Sequence, residues 1–249
     1  MSLLFNSMMI FPPPLFIYPH NLGDLMYRTI LTEIKRHAPF TFSGAVSGIV
    51  IMLLFQNLPK HTAFNIFYIL HPLHVFLSAW VTASIFKLHS SIKFDKSCIK
   101  GKYYFIELLV IGYTGSIGIA TLSDCIIPYI SEVILNMPHR HIHLGFVEMW
   151  WLITPLAIAG TLLAYFWPKT KLPHAGHVLL STWASVFHII MAIGSQLFFI
   201  SYFFILVFVF ISGLAPCCMS DIVFPLLFVR NSQNKKLEVI RKSFKFYIL

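Results

Sequence analysis

His71-Pro72-Leu73-His74-Val75-Phe76-Leu77-Ser78-Ala79-Trp80 returns later in the chain as His174-Ala175-Gly176-His177-Val178-Leu179-Leu180-Ser181-Thr182-Trp183. Both histidines and the Val, Leu, Ser and Trp are in register. A second match follows in order, Ser123-Asp124-Cys125-Ile126-Ile127-Pro128 against Ser220-Asp221-Ile222-Val223-Phe224-Pro225. A weaker one precedes both, His37-Ala38-Pro39-Phe40 against His143-Leu144-Gly145-Phe146. Matches that keep their order along the chain mark a tandem duplication.

Around these motifs the chain is 57% hydrophobic and only 11% charged, whereas soluble domains carry roughly 25% charged residues. An ordinary soluble fold is excluded. Apolar stretches recur that are long enough, at about 1.5 Å per residue, to cross a hydrocarbon core about 30 Å thick. They place spans at 38–56, 63–86, 103–131, 144–167, 174–194 and 199–229. Pro128, Pro216 and Pro225 interrupt the long third and sixth spans, where tilt or a break is expected.

The expected architecture is therefore an all-α membrane protein of about six transmembrane helices in two inverted three-helix repeats. The repeats cover 37–131 and 143–229, joined by an outer loop at 132–142. A peripheral segment, 1–36, precedes them and a basic cytoplasmic tail, 230–249, follows. Inversion is forced by arithmetic: a unit with an odd number of helices, repeated in tandem, enters the membrane from opposite sides. Residues 1–25 run into Pro12, Pro13 and Pro14 without a basic leader or small-residue cleavage site. They read as no signal peptide, and no function is assigned to them.

The net charge of +9 comes from short basic clusters between apolar segments, which report topology and anionic lipid rather than a nucleic-acid face. Sixteen of the 18 Lys and Arg fall in the N-terminal segment, the second and fourth loops and the tail, leaving Lys60 and Arg140 for the alternate loops. Under the positive-inside rule this predicts an integral, multi-pass protein of the cell (inner) membrane with both termini cytoplasmic. The four cysteines, Cys98, Cys125, Cys217 and Cys218, have no disulfide-framework or zinc-ribbon spacing.

An aspartate at a helix centre costs about 2.5–3.5 kcal/mol on insertion scales, so Asp124 and Asp221 at matching positions imply two compensated sites. Histidines spaced i, i+3 lie about 60° apart on a helix and can turn toward one point. A single such pair is usually a core pair bonded to carbonyls; two copies, each followed by Ser-Asp and Pro, favour a site. Depth in the inverted arrangement sorts the residues into two sets. The outer set is His71, His74, Asp124 and His143, with His141 and Glu148 near; the inner set is His174, His177, Asp221 and His37. Each offers imidazoles and a carboxylate, donors that suit Zn, Mn or Fe. His188 shares the His177 face, about 20° away, and Cys217 and Cys218 stand one turn before Asp221 as soft donors.

The function these features predict is a transporter or exporter of divalent transition-metal cations, with protonation of His or Asp coupled to their movement. The alternatives are a membrane metalloenzyme and a haem-binding electron-transfer protein. Against the enzyme, the histidine arrays of membrane di-iron oxygenases and the His-Glu-x-x-His of membrane zinc proteases are absent. The expected partners are the lipid bilayer and a metal ion or proton, with a second copy of the chain as a further candidate.

Overall fold

The computed structural model describes residues 22–91, 99–169, 171–194 and 197–218. Asp221 and the tail lie outside the described residues, as do the side chains of His37, His174, Cys217 and Cys218. Among the described residues the chain is all-helical: α1 (Leu22–Phe55), α2 (Lys60–Ser91), α3 (Ile99–Thr121), a π-helical turn (Leu122–Ile126), α4 (Ile127–Ile134), α5 (Gly145–Glu148), α6 (Trp150–Phe166), α7 (Lys171–Ala192) and α8 (Phe199–Cys218).

Among the described residues, four stretches are long and apolar enough to cross a membrane: Ala38–Phe55, Lys60–Leu88, Tyr104–Ile134 and Ala175–Ala192. Two shorter apolar helices, Trp150–Phe166 and Phe199–Leu214, accompany them. The distribution of side chains is that of a protein solvated by lipid. Large apolar residues such as Leu54, Ile69, Phe166, Phe199 and Phe203 point outward, while His71, His74, Ser78, Thr82, Asp124, Glu132, His177 and Ser181 are buried. Lipid tails are as apolar as leucine, so polar groups collect inside such bundles, where partners exist.

α2 and α7 form the centre and pack most extensively on each other; α2 also carries α6 and α3 on its flanks, and α7 carries α1 and α8. α1 further packs on α8, as α3 does on α6. Small residues permit these close crossings. Gly160 of α6 lies so near the Phe76 carbonyl and Ala79 of α2 that a Cβ would collide with the backbone.

Three features depart from the expected spans. α1 is one helix from Leu22, well before the apolar run at 38. The fourth span is broken at Met149, where φ −131° and ψ 42° separate α5 from α6. The third span continues to Ile134 through the π-turn. Pro128 explains that turn: it has no N–H to give the Asp124 carbonyl, and its ring crowds the residue four back. The ladder shifts immediately before it, with the Ile127 N–H bonding to the Leu122 carbonyl, five residues back. Widening the turn buries Ser123, Asp124 and Cys125 together, and the Ser123 carbonyl accepts from Ser185 Oγ at 3.1 Å.

Candidate functional site

Asp124, on the π-turn, is fully buried and accepts four hydrogen bonds. Its Oδ2 receives the Nδ1–H groups of His71 at 2.9 Å and His74 at 2.7 Å, both from α2. Its Oδ1 receives Ser123 Oγ at 2.6 Å and Ser181 Oγ, from α7, at 2.9 Å. Spacing on α2 makes this convergence possible, since residues three apart share a helix face. The tautomers follow from the network: with Nδ1 donating, each imidazole keeps its lone pair on Nε2. Both Nε2 atoms are buried without a hydrogen-bond partner.

The two rings are held differently. His71 stacks on Phe67, with centroids 5.3 Å apart and planes at 11°, and its Cδ2–Nε2 edge lies against Gly145. His74 stacks on His177 at 5.7 Å with planes at 6°. One histidine of each His-x-x-His motif therefore meets the other ring on ring; His177 is the member of the expected inner set whose side chain is described, and it lies beside the outer pair. Ser181, four residues after His177 on the same helix, strengthens the join by bonding Asp124.

His71, His74 and Asp124 place one donor atom each within 4.8 Å of one another and could hold a metal ion. Two imidazole nitrogens and a carboxylate oxygen suit Zn, Fe or Mn. The N···O separations are hydrogen-bond lengths, so in this arrangement protons bridge the three donors. A cation would take the place of those protons.

His143 does not join this group. The irregular segment after α4, entered through Asn136 at φ 50°, a left-handed conformation asparagine tolerates, carries it to a second cluster. There His143 Nδ1 lies 3.4 Å from Glu148 Oε1, and its ring is 5.6 Å from His188 and 4.7 Å from His141. Burial, then the neighbouring His188, hold the His143 imidazole below its usual pKa, with Glu148 opposing. The hydroxyl of Tyr68 donates to Glu148 Oε2.

His188 is bound to a residue that the sequence reading did not single out: its Nδ1–H donates to Glu132 Oε1 at 2.7 Å, with both side chains buried. Glu132 falls in the expected outer loop at 132–142, one residue past the expected end of the third span, whereas the helix runs on to Ile134 and carries it inside. Ser181 appeared only as a repeat match, with no role attached.

Comparison with family models, curated proteins and solved structures finds no match. The functional reading therefore rests on the residues themselves.

Proposed function

We propose that this protein is a multi-pass membrane transporter or exporter of divalent transition-metal cations, built from six spanning helices in two inverted three-helix repeats. The observation that carries the reading is the burial of His71, His74 and Asp124, three converging metal donors, within apolar helices. Ionisable groups at such depth are costly and commonly mark ion pathways. The same atoms are joined by exchangeable protons, which supports coupling of metal movement to proton movement.

Helix pairing supports the repeat. Exchanging α1, α2 and α3 for α6, α7 and α8 maps α2 on α6 to α7 on α1, α2 on α3 to α7 on α8, and α1 on α8 to α6 on α3, while α2 on α7 maps to itself. A pseudo-two-fold relation produces this pattern. The stacked His74 and His177, at the same position in the two motifs, suit a site close to its axis.

In liposomes containing the purified protein, Zn2+, Mn2+ or Fe2+ is expected to cross the membrane, and transport is expected to disappear in His71→Ala and His74→Ala. Intact protein that moves none of the three ions overturns the reading. Topology is checked separately on a cysteine-free background. A membrane-impermeant maleimide applied to cells should label Lys60→Cys and Arg140→Cys, but Lys102→Cys and Lys169→Cys only after permeabilisation. Labelling of all four from one side would remove the inverted arrangement.

A further inference from the structure

We infer that His143, Glu148 and His188 form a second binding station for a divalent transition-metal ion, at the loop end of the bundle, with Glu132 holding His188 in place. The class of ion is taken from the transport reading above; the donors are this cluster's own. His143 Nδ1 and Glu148 Oε1 stand 3.4 Å apart, longer than the roughly 2.9 Å of a good N–H···O bond. It matches two donors on one tetrahedral ion, which bonds of about 2.1 Å place about 3.4 Å apart. Neither ring nitrogen of His143 has a hydrogen-bond partner.

Each donor is supported from behind. Tyr68 donates to Glu148 Oε2 and leaves Oε1 turned toward His143. Glu132 Oε1 takes the Nδ1–H of His188, which fixes the lone pair on Nε2, the arrangement that orients metal-binding histidines in known sites. That Nε2 receives only a long bond, 3.4 Å, from the His143 backbone N–H. An ion can displace it, and bringing the third donor into range asks a shift of the irregular segment that bears His143.

The station is distinct from the buried triad because Phe67 stands between them. Its fully buried ring stacks on His71 at 5.3 Å and meets His188 edge-on at 5.4 Å. Exposure falls along the same line, from 33% for the Glu148 side chain through 12% for His143 to none for His188. An ion arriving from the loop end meets this station first.

The test is a Zn2+ and Mn2+ titration of the full-length protein in detergent, with stoichiometry read by equilibrium dialysis. Wild type is expected to bind two ions per chain. Glu148→Gln, at a partly exposed site and nearly isosteric, should weaken one of them at least about 10-fold and leave the other; Asp124→Asn should remove the other. Tyr68→Phe, which keeps the charge but frees the carboxylate, should weaken the same ion as Glu148→Gln to a smaller degree. A single ion, lost in Asp124→Asn and unmoved by Glu148→Gln, overturns this inference and leaves the triad reading standing. A single ion with the opposite behaviour supports the station and removes the triad. Loss of both ions in Glu148→Gln defeats the claim of two independent sites, and no binding in wild type defeats both readings.

Discussion

Asp124→Asn is expected to give a protein that folds nearly as well as wild type and no longer binds metal at the buried triad. Asparagine can satisfy every partner. Its carbonyl can accept both imidazole Nδ1–H groups in place of Oδ2, and its NH2 can donate to the hydroxyls of Ser123 and Ser181, which accept as readily as they donate. What disappears is the charge. Metal affinity at that site should fall by more than about 100-fold, beyond what loss of an orienting partner costs. Asp124→Ala behaves differently, since it strands two imidazole donors and two hydroxyls in the interior and should cost about 3–5 kcal/mol. Apparent melting temperature in detergent, measured beside metal titration, separates the two effects. An Asn variant with wild-type affinity would show that Asp124 is only a structural acceptor.

The second large effect is expected from Gly145→Ala. A Cβ at this position falls on the Cδ2 and Nε2 edge of His71, and in-plane retreat of the ring drives Nδ1 onto Asp124 Oδ2, already 2.9 Å away. Overpacking of this kind costs about 1–3 kcal/mol, and relief comes by turning His71 off the Asp124 carboxylate. Transport should fall by more than about 10-fold, in line with the loss of a ligand's orientation. Gly118→Ala is the control: nothing lies within 4 Å of its Cβ, and helix propensity alone should make it neutral or stabilising by up to about 1 kcal/mol. Equal transport by both variants would remove the argument that His71 is positioned by Gly145.

His71, His74 and Asp124 were legible in the chain because polar residues that recur in register on apolar helices stand out against a background that excludes them. The membrane class was legible from the same contrast. Glu132 did not stand out because hydropathy ends the third span at 131 and leaves it in a loop, while the helix carries it on to Ile134. Depth alone placed His143 beside the triad. It takes up a position by His188 and Glu148 because the segment before α5 is irregular, and inference from straight spans cannot follow such a path. Hydropathy marks where lipid contact begins and not where a helix begins. That is why α1 starts at Leu22, through residues too polar to count as a span. Pro128 signalled an interruption, but whether a proline kinks, ends or widens a helix depends on where the ladder can shift, here to the five-residue bond from the Ile127 N–H to the Leu122 carbonyl.

The π-turn also settles a mismatch of length. On α7, Ser181 and His188 are seven residues apart, two nearly whole turns, so at about 100° per residue they face the same way. Their partners, Asp124 and Glu132, are eight apart, which on an unbroken α-helix would set them about 80° off a common line. One surplus residue taken up in the wide turn brings that angle back to about 20°. The two strings of residues then work as a vernier, eight divisions against seven, with coincidence at both ends: Ser181 at Asp124 and His188 at Glu132. A one-residue insertion between 126 and 131 would set the partners nine apart, more than the wide turn can absorb, and spoil the alignment of one pair or the other without removing any of the four side chains.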